Sequence, residues 1–109
     1  MKIKYLFVAS FVVLLLCGCE SKAERTVNDL KDLREQYIND IDNAQTKEDA
    51  IKIRKELKDR EKFEVNKLSD EEIKEYERNL SWEEAQKIKE LNDRTEAAEN
   101  RARERFRNQ

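Results

Sequence analysis

The sequence predicts an all-α fold: a small helical hairpin or bundle of two longer helices, one short helix and one C-terminal helix. Three observations predict it. The 109-residue chain has no Pro, and its single Gly is Gly18, so the strong helix breakers are missing from everything downstream. From Val27 onward apolar residues recur at steps of three and four, the spacing of one helical face. Two Ser-x-x-Glu segments, starting at Ser69 and Ser81, have the pattern of an N-terminal capping box.

The chain divides by composition. Residues 6–17 are apolar except for Ser10. Lys2 and Lys4 precede them, and Tyr5 to Leu16 form an apolar run of about 12 residues, short of the roughly 20 that span a bilayer. A charge, a short apolar run and then small residues is the pattern of a secretory signal. Downstream of Cys19 stand 21 bases against 25 acids, a mildly acidic body, so nucleic acid is not an expected partner. Apolar residues are sparse there, and a thin core is expected.

Leu16-Cys17-Gly18-Cys19 resembles the lipobox of bacterial lipoproteins: Leu, a tolerant position, a small residue, then the modified Cys. Cys17 lacks the small residue before it, because Leu16 occupies that place. The resemblance covers residues 1–19 only. It implies a diacylglyceryl group on the Cys19 thiol, cleavage between Gly18 and Cys19, and further acylation, by palmitate or a similar chain, on the new amine. Two or three chains anchor stably where one does not. It also implies an extracytoplasmic address: the outer membrane in a Gram-negative cell, since Glu20 is not the Asp of inner-membrane retention, with surface exposure as a variant. The chain then reads as a signal peptide (1–18), a lipidated Cys with a polar tether (19–26) and a helical domain (27–109).

The first helix is expected from about Arg25, with Val27, Leu30, Leu33, Tyr37, Ile41 and Ala44 on one face and Ile38 widening it. Asn43 suits a left-handed C-terminal position in the absence of Gly. Thr46 is the next N-cap, with Glu48 and Asp49 in the favoured first turn. Ala50, Ile53, Leu57, Val65 and Leu68 form the second stripe. Ile51 and Phe63 lie off it, so this helix either contacts neighbours on two sides or ends near Lys62.

Ser69 and Glu72 start a short helix carrying Ile73, Tyr76 and Leu80, with Leu68 and Ile73 in staple positions. Ser81 and Glu84 start the last helix, which carries Ala85, Ile88, Leu91, Ala98, Ala102 and Phe106. Beyond Leu91 that face is mostly Ala. The expectation is that it buries little, and projects, frays or packs on another chain. Five acid-before-base pairs at i,i+4, among them Glu83–Lys87, Glu90–Arg94 and Glu99–Arg103, should support the helices.

Chemistry in the body is sparse. There is no His, and Cys17 and Cys19 are the only cysteines, so the usual nucleophile–base pairs and thiolate metal sites are missing. No enzyme activity, metal or cofactor is expected, and Cys19 is the one site residue. Asp40-Ile41-Asp42 and Asp70-Glu71-Glu72 lack calcium-loop spacing and suit helix ends. Residues 69–84 hold seven acids and two bases, while residues 94–109 hold five Arg and three Glu. The Arg tail is read as complementing a helix dipole, with contact to an anionic surface as the alternative. Phe63, Tyr76 and Trp82 are read as core, with a binding surface as the alternative.

The expected function is a lipid-anchored, non-catalytic interaction module of the cell envelope, such as an adhesin, an exclusion or immunity lipoprotein, or an accessory subunit. Its partners are the membrane, through the anchor, and a protein of the envelope or of another cell. Pairing of two copies along a coiled-coil seam is compatible with the stripes. The competing reading is a structural lipoprotein like the small one that tethers the outer membrane to peptidoglycan. That family is one uninterrupted heptad helix ending in Lys. Two internal caps and the ending Phe106-Arg107-Asn108-Gln109 depart from it.

Overall fold

The computed structural model describes residues 21–108. The expected signal segment, the lipobox and Cys19 lie outside the described residues. Four helices follow one another: α1 (Lys22–Asp42), α2 (Lys47–Val65), α3 (Asp70–Asn79) and α4 (Trp82–Arg105), with no strand among the described residues. The fold is all-α, and no helix among the described residues is long and apolar enough to cross a membrane.

Each helix starts on a side-chain cap. The hydroxyls of Ser21, Thr46, Ser69 and Ser81 accept from the backbone N–H three residues on, at 3.0–3.1 Å. These hydroxyls satisfy donors that the helix itself leaves unpaired. Ser21 starts α1 earlier than the expected polar tether allows. Residues 22–26 are helical, and Ala23 and Thr26 are buried. At Ser69 the box is complete, because the Glu72 carboxylate accepts from the Ser69 N–H at 2.9 Å. At Ser81 only half forms, because the Glu84 carboxylate reaches across to Lys31 Nζ at 3.0 Å instead.

The α1 C-terminus differs from expectation in detail. Asn43 is not left-handed (φ −98°). Its side-chain amide instead donates back to the Asn39 carbonyl at 2.8 Å, which caps the helix without positive φ. The four-residue turn 43–46 then reverses the chain, so α2 runs antiparallel to α1. α3 and its flanking residues return the chain to the start of α1, and α4 runs parallel to α1. The ion pairs Lys31–Glu84, Glu35–Arg94 and Asp42–Arg101 climb both helices together.

α1 is the central element. It packs against each of the other three helices, none of which makes a comparable contact with another. The core lies toward the far end of α1 from Ser21. Tyr37, Ile38 and Ile41 meet Leu57 of α2 and Leu91, Ala98, Ala102 and Phe106 of the α4 segment, flanked by the half-buried Leu33, Ala44, Ala50 and Ile53. The C-terminal part of α4 therefore neither projects nor frays. Ala98 is wholly buried, and its small side chain lets α4 lie close against α1. In such a seam the close approach, not the area of each side chain, is what alanine contributes. Thr95 is buried too, and its hydroxyl donates to the Leu91 carbonyl at 2.8 Å.

α2 corrects both expectations for its off-stripe residues. It continues past Lys62 to Val65, yet Ile51 and Phe63 stay 59% and 64% exposed. Trp82 is 75% exposed at the first position of α4, so two of the three aromatics read as core are surface residues. Only Tyr76 is half-buried. The expected i,i+4 pairs are partly replaced by contacts between helices: Arg94 bonds Glu35, and Glu99 bonds Tyr37 and Arg54.

Candidate binding groove

α2 and α4 both rest on α1 without closing on each other, and a groove of about 300 Å³ is left between them at the end remote from Ser21. Its floor is Tyr37 and Ile41 of α1, Ala50 of α2, and Ala102 and Phe106 from α4 and its cap. Two of these are Ala. Where larger residues would fill the space between α2 and α4, Ala50 and Ala102 leave it open. Ile51 stands exposed on the rim.

The charged rim is one-sided. Lys47 and Arg54 line it from α2, Arg103 and Arg107 from the α4 side, and Glu99 is the only acid in the lining. Glu99 is already engaged. It accepts from the Tyr37 hydroxyl at 2.8 Å and sits 3.4 Å from the Arg54 guanidinium. Burial, and then the bond to Glu99, push the Tyr37 phenol far above its ordinary pKa, so it remains a neutral donor.

The Arg tail splits into two roles. Arg101 makes a two-armed pair with Asp42 at 3.0 and 2.9 Å. Arg105 donates to the Ile41 carbonyl at 2.6 Å, at the C-terminal end of α1. These two complement the end of a neighbouring helix and its terminal carbonyls. Arg103 bonds only the nearby Asn100 at 2.9 Å, and Arg107 pairs with Glu104 at 3.3 Å on the exposed surface. They face the groove rather than the core.

A second, larger cleft of about 640 Å³ lies at the opposite end, between the start of α1 and α3. Glu24, Glu72, Glu75 and Glu84 make it acidic. Two of these carboxylates hold pKa values below the ordinary range: Glu72 through the Ser69 backbone N–H, and Glu84 through Lys31. Tyr76 in this cleft is shifted upward by burial and then by Glu84 and Glu24. These acids serve helix starts and a cross-helix pair. No group of His, Cys, Asp and Glu among the described residues is arranged to hold a metal.

Cys19, the one site residue expected from sequence, is outside the described residues, with only Glu20 between it and the Ser21 cap. The groove was not anticipated. The signal for it in the sequence is the spacing of Lys47 and Arg54 around Ala50, and of Arg103 and Arg107 around Phe106. No protein-family model, curated protein or solved structure matches this chain.

Proposed function

We propose that this chain is a bacterial envelope lipoprotein, anchored through Cys19, whose body acts without catalysis as a binding module. The supporting observation is a spatial relation. Only two peptide steps, at most about 3.8 Å each, separate Cys19 from the Ser21 cap that starts α1. Tyr37 and Ile41 of the groove floor stand about 24 to 30 Å further along α1 from that cap. An anchor on Cys19 would hold the foot of α1 at the bilayer and present the groove on the side away from it. Anchoring confines encounters to the membrane surface and raises local concentration there.

The resemblance at residues 16–19 supports an extracytoplasmic address and, in a Gram-negative cell, the outer membrane. A spacer role is less well supported. The helices fold back on α1, so the body reaches far less than a continuous helix of the same chain would.

Metabolic labelling with an alkyne fatty acid tests the anchor. The wild type and Cys17→Ala should carry label, and Cys19→Ala should carry none and leave the membrane fraction. Label persisting in Cys19→Ala contradicts the proposal.

A further inference from the structure

We infer that the groove between α2 and α4 receives an acidic amphipathic helix of a partner protein, docking as a fourth helix against α1. This deepens the binding-module reading and rests on it. The shape favours a helix. Two helices flank the groove, a third forms its floor, and the described helices offer no sheet edge to extend a strand. Its lining runs from Lys47 to Arg54 on α2 and from Glu99 on α4 to Arg107 just past its cap, about 10–12 Å on each side. That length matches an apolar stripe at i, i+3 or i+4, and i+7, the reach of two turns.

Charge chooses the partner. The floor is apolar, and bases stand on both rims, so the occupant needs acids on both flanks of its apolar stripe. The Arg54 and Arg107 side chains are 57% and 70% exposed, which leaves their guanidinium groups accessible to such acids. Ile51, exposed on the α2 rim, gains cover when the helix seats.

A second copy of this chain does not fit in the same membrane. Its densest run of acids, seven of the 25, lies in residues 69–84, around α3, at the Ser21 end. With every copy anchored at Cys19, these acid-rich ends lie in one plane and the grooves about 20 Å further along α1. The occupant therefore approaches from the side away from the anchor.

The test uses the full chain purified from membranes and held in zwitterionic nanodiscs. The probes are two fluorescent helical peptides with the same Leu stripe, one with Glu on both flanks and one with Lys. Fluorescence anisotropy should show the Glu peptide binding, weakening with salt, and the Lys peptide not binding. Combined Arg103→Glu and Arg107→Glu should weaken the Glu peptide roughly tenfold or more. Ile51→Glu should also weaken it, and Lys74→Glu on α3 should leave it unchanged. Thermal melts by circular dichroism confirm that each variant folds. Equal binding of both peptides, no binding of either, or binding indifferent to the rim variants overturns the inference. So does capture of phosphatidylglycerol vesicles through the same arginines in place of the peptide. The intact mass of the same preparation reads the lipid on Cys19. A lipidated chain that ignores the Glu peptide refutes this inference alone, and an unlipidated chain that binds it refutes the anchor alone.

Discussion

Arg101 closes on Asp42 with both arms of its guanidinium, at 3.0 and 2.9 Å, across 59 residues of sequence. The same offset joins Arg94 to Glu35 at 2.7 and 2.9 Å. The two pairs stand one heptad apart on both helices, so they set the parallel register of α1 and α4. Exposed pairs contribute modestly to stability, but bidentate geometry makes them specific in position.

That register has a pH signature. The hydrogen bonds from Arg101 and Arg94 hold the Asp42 and Glu35 carboxyls below the usual carboxylate range. A pKa lower in the folded state contributes stability that is present above the unfolded value and lost as pH falls through the folded one. Stability should therefore be level near neutrality and decline below about pH 4. Replacing both arginines, Arg94→Gln with Arg101→Gln, should flatten that decline in urea titrations taken across the acid range.

The alanine seam gives an opposite pair of core variants. Ala98 is wholly buried between α1 and α4, so Ala98→Leu should overpack it and cost about 1–3 kcal/mol. Leu57 is the one buried residue of α2, and Leu57→Ala should cost about 2–3 kcal/mol by leaving a cavity. Urea unfolding measures both. A neutral Ala98→Leu would mean that α4 stands off from α1.

α3 contains no buried residue and is held by its cap and by the half-buried Ile73 and Tyr76. It should be the first helix to open, with the fastest amide exchange of the four. Ser69→Ala removes the box and should cost about 1 kcal/mol, accelerating exchange in α3 before the amides of α1 and α4 respond. Hydrogen exchange read by NMR separates this local opening from global unfolding.

The four helices were legible because their signals are local. Ser69, Ser81 and Thr46 start helices in the sequence and in the structure, and the Val27 to Ala44 stripe faces inward as its spacing requires. What was not legible depends on which helices meet. The Ala98 and Ala102 face looked too small to bury, because side-chain size says nothing of how near two backbones come. Phe63 and Trp82 looked like core because of their size, yet none of the described helices covers them. The groove depends on α2 and α4 both choosing α1 over each other, a choice that neither stripe encodes alone.

The central claim, an anchored body that binds through its far end, is tested most directly by photocrosslinking in intact cells. A photoreactive residue replaces Ile51 at the groove in one strain and Phe63, further toward the Ser21 end, in another. The expected result is a discrete protein adduct from position 51 that fades when Arg103 and Arg107 are reversed to Glu, and none from position 63. Adducts from position 63 with none from position 51 would contradict it.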